Sequence, residues 1–204
     1  ATGLPILLST GASTEEEIVD TVQRLQHSTA RDRLVLLHCI SCYPTPIERI
    51  NLRAISTLAE RFGVPVGLSD HTLSTHTGGW AVAAGACLLE KHFTLDPNRK
   101  GPDHAMSLPP DRMAEYIARA RQAQRALGTG TLGMKPEEKE VRYAARRSIV
   151  AAADIPAGAV LTQSMLALKR PGTGLPPTAL DHLTGRQTTV SIPRDTILTW
   201  DMVR

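Results

Sequence analysis

The sequence is poor in aromatic side chains, in cysteine and in long apolar runs. Seven of its 204 residues are Phe, Tyr or Trp, too few for the stacking platforms that bind single-stranded nucleic acid. The longest apolar run, Ala81–Leu89, is far shorter than the ~20 residues of a membrane-spanning helix. Three cysteines cannot close a disulfide framework, which favours a reducing compartment. We therefore expect a cytoplasmic globular protein that binds neither nucleic acid nor membrane.

Charge is unevenly distributed along the chain. The formal net charge is +3. Residues 141–204 carry eight basic and four acidic side chains, whereas residues 1–140 are close to neutral. A weakly basic segment of this size suits a small anionic ligand better than a nucleic-acid duplex. An ordinary solvated surface rich in Arg explains it equally well.

Residues 1–127 alternate short apolar runs with helical patterns. A run that is apolar on both faces is typical of a buried parallel strand. Four such runs occur, at Pro5–Leu8, Leu34–Leu37, Val64–Leu68 and Cys87–Leu89. Their alternation with helical patterns predicts a parallel α/β fold for this region.

The helical patterns begin and end at recognisable residues. Thr14 precedes three glutamates, which suit the positive end of a helix dipole. Asn51 precedes an apolar stripe at helical spacing that Gly63 ends. Two prolines open a further helical segment, Asp111–Leu127. Each of these features predicts a helix that follows one of the apolar runs.

The sequence changes character after residue 127. Residues 128–140 are rich in Gly, Lys and Glu and predict a linker to a second domain at 141–204. Short β-like runs follow at Ser148–Ala151 and Thr188–Ile192. The stretch Ile155–Leu166 returns as Ile192–Val203, at an offset of 37 residues and without a gap. We predict a small, pseudo-symmetric, β-rich domain.

Polar side chains follow each of the four apolar runs. They are Ser9 after the first run, His38 and Cys39 after the second, Ser69 to His71 after the third, and Glu90 to His92 after the fourth. In parallel α/β folds the carboxyl ends of the strands form the ligand-binding edge. Four such endings in succession predict a functional site there.

His71 and His92 are candidate metal ligands. Strand alternation places Ser69 and His71 on one face and Glu90 and His92 on one face. If both faces point inward, two imidazoles lie on neighbouring strands and suit a water-rich divalent metal site. The alternative is that each histidine makes a buried hydrogen bond.

Two other features carry weaker signals. Cys39 and Cys42 form a Cys-x-x-Cys pair, but no helix begins there to stabilise a thiolate and no second ligand pair completes a zinc site. Arg170 lies in a Pro- and Gly-rich loop and offers a planar fork to a carboxylate or to hydroxyls. A solvated loop arginine is the simpler interpretation.

Taken together, the strand-end motifs resemble the sialic acid (N-acetylneuraminate) synthase family. The resemblance covers nearly the whole chain. The matching stretches are Leu7–Gly11, Leu37–Cys39, Tyr43–Pro46, Asn51–Ala54, Val66–Thr72, Glu90–Asp96, Gly101–His104, Ser107–Leu108, Ala145–Val150 and Lys169–Gly172. The resemblance implies an α/β fold, the second half of a TIM (β/α)8 barrel, followed by a small β-clip domain of the antifreeze-like (SAF) type.

The resemblance also implies an activity. Family members are transferases that condense phosphoenolpyruvate with N-acetylmannosamine, or with its 6-phosphate, and release phosphate. A divalent metal ion assists; Mn²⁺ is the first expectation, with Mg²⁺ or Co²⁺ as alternatives. The metal-binding histidines of the family match His71 and His92.

Other family roles carry over residue by residue. Phosphoenolpyruvate contacts match Ser9, Ser41 and Ser69, and a substrate-pocket tyrosine matches Tyr43. Acidic residues at the sugar site match Glu90 and Asp103, our candidate catalytic residues. Arg170 matches the arginine that one subunit inserts into its partner's active site, which implies a domain-swapped homodimer.

The length departs from the family pattern. A closed eightfold barrel needs about 250 residues, whereas this sequence supplies four β/α units. We expect the chain to be the C-terminal part of a longer synthase and to be inactive alone. The alternatives are a non-catalytic carbohydrate-binding SAF module with a remnant half-barrel, and a thiol or zinc protein built on Cys39 and Cys42.

Overall fold

The computed structural model describes residues 3–27 and 31–204. The chain divides into two compact units, Ala1–Thr131 and Leu132–Arg204. The division falls within the segment predicted as a linker, 128–140. Residues Pro136–Glu138 of that segment form a 3-10 turn, and a helix begins at Lys139. No helix within the described ranges combines the length and apolar character needed to cross a bilayer.

The first unit is an α/β half-barrel. Its four strands are parallel and lie in chain order: β1 Ile6–Ser9, β2 Leu34–Cys39, β3 Val66–Asp70 and β4 Leu89–Lys91. The helices are α1 Glu15–Gln26, α2 Arg53–Phe62, α3 Thr77–Ala83 and α4 Pro110–Leu127. This curled parallel sheet with its helices confirms the predicted fold class.

Two predicted helix starts have different outcomes. Thr14 caps α1 in a capping box: its hydroxyl accepts from the Glu17 N–H, and the Glu17 carboxylate accepts from the Thr14 N–H. Asn51, by contrast, is not the N-cap of α2, because Leu52 occupies that position. Asn51 adopts a left-handed φ of 49°, and α2 begins two residues later. Asn tolerates this conformation because its short side chain bonds locally. Gly63 ends α2 at a φ of 62°, as predicted.

All four strands run further toward their carboxyl ends than the apolar runs predicted. Ser9, Cys39, Asp70 and Lys91 are the last residues of β1 to β4. The third and fourth strands each shift by two residues at both ends, from Val64–Leu68 to Val66–Asp70 and from Cys87–Leu89 to Leu89–Lys91. Ladder hydrogen bonds join backbone groups, so polar side chains do not end them. The polar residues therefore lie within the strand ends, where register fixes their neighbours.

The sheet has one helix-covered face and one open face. Leu34, Leu36, Val66 and Leu68 pack beneath the helices, with Ile6, Leu8 and Leu89 at the margins. On the other face of β1, Leu7 is 50% exposed. Side chains alternate along each strand. Ser69 and Glu90 therefore belong to the open face and Asp70 and Lys91 to the helix side.

The second unit is small and β-rich. Strand β5, Ser148–Ala151, pairs antiparallel with β6, Leu166–Lys169. The helices are α5, Lys139–Ala145, and α6, Leu180–Leu183. The predicted run Thr188–Ile192 is not a continuous strand. Thr188 bridges to Val203 and Ile192 bridges to Ile155, so its two ends pair with different segments.

The internal repeat is a structural repeat. Val160 bridges Gln187, and Val150 bridges Ile197. At the repeat offset of 37 residues, Val160 corresponds to Ile197 and Gln187 corresponds to Val150. The two bridges are therefore equivalent, with the roles of the two copies exchanged. The 3-10 turns Gln163–Met165 and Trp200–Met202 correspond in the same way. The two half-units therefore pack around a common buried core that neither could enclose alone.

Candidate active site at the carboxyl ends of the strands

Strands β3 and β4 bring Ser69 and Glu90 together on the open face. The two residues are directly opposite in the register. The Ser69 hydroxyl donates a 2.6 Å hydrogen bond to Glu90 Oε1. Ser69 is buried, whereas Glu90 is exposed. The bond holds one carboxylate oxygen of Glu90 against the sheet edge.

His71 and His92 follow these residues and meet Tyr43. The two imidazole centroids are 5.2 Å apart. The Tyr43 ring centroid lies 4.3 Å from that of His71 and 6.2 Å from that of His92. Three of the residues singled out from the sequence thus form one ring cluster.

The surroundings of His71 fix its chemical form. His71 is buried, and its Nδ1 lies 3.1 Å from the Ile40 carbonyl oxygen and 3.8 Å from the Cys39 sulfur. Burial lowers the pKa of His71, and the Ile40 carbonyl acts against this lowering. A neutral imidazole that donates from Nδ1 keeps the lone pair of Nε2 for a ligand.

His92 is more accessible and faces a carboxylate. Its Nδ1 lies 3.9 Å from Asp103 Oδ2, and both side chains reach solvent. Asp103 directly precedes the 3-10 turn His104–Met106. A carboxylate beyond a ligating imidazole is the usual partner that orients the ring at a metal centre.

The pair of histidines fits a metal site with few protein ligands. The described residues contain no group of three or more His, Cys, Asp or Glu side chains arranged to hold a metal ion. Two imidazoles with Nδ1 facing a carbonyl and a carboxylate nonetheless suit a hard or borderline cation that completes its shell with water or substrate oxygens.

A buried ion pair lies behind the site, and sequence reasoning missed it. Lys91 Nζ is 3.2 Å from Asp70 Oδ1, and the two side chains are 3% and 0% exposed. Asp70 also accepts from the Thr72 N–H at 2.8 Å and from the Thr77 hydroxyl. Burial lowers the pKa of Lys91, and Asp70 acts against this lowering. Strand alternation, which places residues 70 and 91 on the helix side, was the available signal.

The remaining predicted residues lie in several places. Ser41 is exposed, with its hydroxyl 3.9 Å from the Cys39 sulfur, which in turn touches His71. Ser9 is exposed at the end of β1, opposite Leu37 in the register. Arg170 belongs to the second unit; it is exposed, and its Nε donates to the Ala145 carbonyl at 3.1 Å.

Cys39 and Cys42 have different surroundings. Cys39 is buried beside His71, whereas Cys42 is exposed and its thiol faces the Pro44 carbonyl at 3.5 Å. All three cysteines are free thiols in the structure.

The fold and the strand-end cluster define an α/β half-barrel with a polar carboxyl edge, joined to a small β-rich domain. The chain belongs to the NeuB family, which matches residues 1–132, and residues 146–204 match the SAF domain. These matches confirm the resemblance found in the sequence.

Two curated relatives cover almost the whole chain. An uncharacterized protein of Methanocaldococcus jannaschii, MJ1065, is 44% identical over 98% of the chain. The N,N'-diacetyllegionaminic acid synthase of Legionella pneumophila is 38% identical, also over 98% of the chain. The chain spans 59% and 57% of the lengths of these two relatives.

Two solved structures also match this chain. A putative spore coat polysaccharide biosynthesis protein E from Chromobacterium violaceum superposes with a TM-score of 0.80 at 26% identity, over 98% of this chain and 60% of that one. The N-acetylneuraminic acid (sialic acid) synthetase of Leptospira borgpetersenii, in complex with citrate, has a TM-score of 0.63 at 34% identity. The match covers 68% of this chain and 48% of the synthetase chain.

Proposed function

We propose that this chain forms the C-terminal half-barrel and SAF domain of a cytoplasmic, phosphoenolpyruvate-dependent nonulosonic acid synthase. The observation that carries the proposal is the convergence of His71, His92 and Tyr43 beside the Ser69–Glu90 pair at the carboxyl edge of the sheet. Membership of the NeuB family and relatives named as legionaminic and sialic acid synthases support it. The substrates are phosphoenolpyruvate and N-acetylmannosamine or a related acyl-hexosamine.

The proposed reaction is a carbon–carbon bond formation that releases phosphate. C3 of phosphoenolpyruvate bonds to the aldehyde carbon of the open-chain sugar, whose oxygen takes up a proton. Water adds at C2, the C2–O bond to phosphate breaks, and a C2 keto acid and inorganic phosphate remain. His71 and His92 would hold a divalent cation, Mn²⁺ first with Mg²⁺ or Co²⁺ as alternatives, and the bound cation would supply polarisation of the aldehyde.

The chain's own residues position the substrates. The Glu90 carboxylate, held by Ser69, accepts hydrogen bonds from sugar hydroxyls on the open face. Asp103 orients His92 from its outer side and faces the sugar. The hydroxyls of Ser9 and Ser41 donate to the anionic groups of phosphoenolpyruvate. Ser69 lies beside it with its own proton given to Glu90, and the Tyr43 ring packs over His71.

The SAF domain contributes Arg170 to a partner subunit in a domain-swapped homodimer. The bond from Arg170 Nε to the Ala145 carbonyl orients an exposed guanidinium. Its planar fork suits a carboxylate or a pair of hydroxyls. This arrangement gives the second unit a role in substrate binding.

The test compares the native polypeptide with the 204-residue chain. An antibody to residues 141–204 isolates the native polypeptide from its source cells, and its mass is measured. Both samples are given phosphoenolpyruvate, N-acetylmannosamine and Mn²⁺, and phosphate and keto acid are quantified. We expect a native polypeptide well above 22.0 kDa that releases phosphate only when sugar and metal are both present, and an inactive 204-residue chain.

Other outcomes would contradict separate parts of the proposed function. Metal-dependent phosphate release by the 204-residue chain alone would overturn its expected inactivity. A native polypeptide that forms no keto acid from any acyl-hexosamine, yet binds sugars through residues 141–204, would favour the carbohydrate-binding module. Replacement of Arg170 by Gln should raise the KM for the sugar in the native enzyme. The control is R194Q, at another exposed arginine of the SAF domain, which should leave this KM unchanged.

A further inference from the structure

We infer that the buried pair Asp70–Lys91 is a positioning device that sets the separation of His71 and His92. The inference rests on the proposed function, in which the two histidines hold the metal. Asp70 directly precedes His71, Lys91 directly precedes His92, and Asp70 and Lys91 are paired across β3 and β4. His71 and His92 therefore each follow one member of an ion pair that joins neighbouring strands.

The Lys91 ammonium contacts the residues on both sides of His71, through the side chain of Asp70 and the backbone of Thr72. It lies 3.2 Å from the Asp70 carboxylate and donates to the Thr72 carbonyl. The Asp70 carboxylate closes the loop by accepting from the Thr72 N–H at 2.8 Å. His71 is thus the middle residue of a three-residue segment whose two ends are fastened to the residue before His92.

Two helices contact the pair from behind. The Thr77 hydroxyl at the start of α3 donates to Asp70, and the Lys91 ammonium lies 5.6 Å from the centre of the Tyr116 ring of α4. The pair is on the helix side of the sheet, away from the open face. It therefore contacts no reacting group, and its effect on the site passes through the backbone of His71 and His92.

Stability alone is a weak reason for such a pair. Burying two charges costs desolvation energy that their attraction often does not exceed, and apolar replacements are often neutral. A pair with several hydrogen bonds does, however, restrict its neighbours to one geometry. Here those neighbours are the two candidate metal ligands.

The experiment uses the 204-residue chain and the double variant D70N/K91M. The Asn amide oxygen still accepts from the Thr72 N–H, its amide nitrogen can donate to the Thr77 hydroxyl oxygen, and Met replaces Lys91 without leaving a lone buried charge. Long-range ¹H–¹⁵N spectra report the tautomers of His71 and His92, and electron paramagnetic resonance titration reports Mn²⁺ affinity. The control I55V trims a buried core side chain of the same unit and leaves the pair intact.

We expect a single Nδ1–H tautomer of His71 in the wild type and in I55V. In the double variant we expect averaged tautomers and Mn²⁺ affinity about 10- to 100-fold lower, the range typical of lost outer-shell support. A folded double variant with wild-type imidazole spectra and unchanged Mn²⁺ affinity overturns the inference.

Two further arms separate the possible failures. If the double variant does not fold, T77V removes one bond to Asp70 with little change of shape. Broadened His71 resonances in T77V support the inference, and wild-type resonances overturn it. If the wild-type chain binds no Mn²⁺, the metal role in the proposed function fails in this chain, while the imidazole spectra still decide whether the pair positions the histidines.

Discussion

Ile155 and Ile192 exchange both of their backbone hydrogen bonds, each 2.8 Å long, across the middle of the second unit. They occupy equivalent places in the two copies of the repeat, 37 residues apart. Both side chains are 1% exposed and belong to one core. The pseudo-twofold axis of the SAF domain therefore passes between two copies of the same residue.

The symmetry predicts that I155A and I192A destabilise the second unit to a similar extent. Each truncation leaves a cavity in the shared core, at a cost of roughly 2–5 kcal/mol. Urea unfolding measures both. V190A, at a side chain that is 47% exposed, should have little effect. If the unfolding free energies of the two Ile variants differ by more than about 2 kcal/mol, the halves are not equivalent. Such a difference is a large fraction of the stability of a small domain.

A left-handed turn recurs at equivalent positions of the repeat, as Gly158 with φ 80° and Asp195 with φ 67°. The space around Gly158 is open, since an added Cβ would meet only the Gln187 side chain, at 3.9 Å. The cost of G158A is therefore backbone strain, about 1–2 kcal/mol. G158N should cost less. Thermal unfolding of the two variants tests this order, and equal midpoints would argue against strain as the cause.

Gly78 of α3 packs against the buried ring of Tyr116. An added Cβ would lie 2.6 Å from the ring. Ala favours a helix over Gly by up to ~1 kcal/mol, but overpacking typically costs 1–3 kcal/mol, roughly the larger effect. G78A should therefore destabilise the first unit.

The sign of this effect should reverse when the ring is removed. In a Y116L background G78A should stabilise the unit, because the helix preference then acts alone. Chemical denaturation of the four proteins of the cycle provides the comparison. The steric explanation fails if G78A has the same effect in both backgrounds.

Asp103 offers a test of the metal site that is separate from the buried pair. D103N keeps the shape but replaces the carboxylate that faces His92 Nδ1 by a neutral amide. We expect Mn²⁺ affinity to fall by about tenfold, as when other carboxylates that orient a ligating histidine are lost. D111N, an exposed change in the first turn of α4, is the control. Equal Mn²⁺ affinity in the two variants would remove Asp103 from the site.

Much of the fold could be predicted because local signals agree with it. The capping box at Thr14 and the ending of α2 at Gly63 need a few neighbouring residues and no tertiary contact. The repeat was visible because the same turn and core contacts need similar residues in both halves. Strand ends were misplaced because apolarity reports burial, whereas ladder bonds continue through the polar residues Ser69 and Asp70.

The sequence by itself determined the α/β class, the two regions, the repeat and the set of polar residues at the strand ends. These follow from periodicity and residue type, which are local properties. Only the tertiary structure decided which of those residues meet. Register across β3 and β4 joins Asp70 to Lys91 behind the sheet and brings His71 within ring contact of His92, and the segment after β2 brings Tyr43 to the same rings. Such pairings depend on the alignment of distant segments, which only packing fixes.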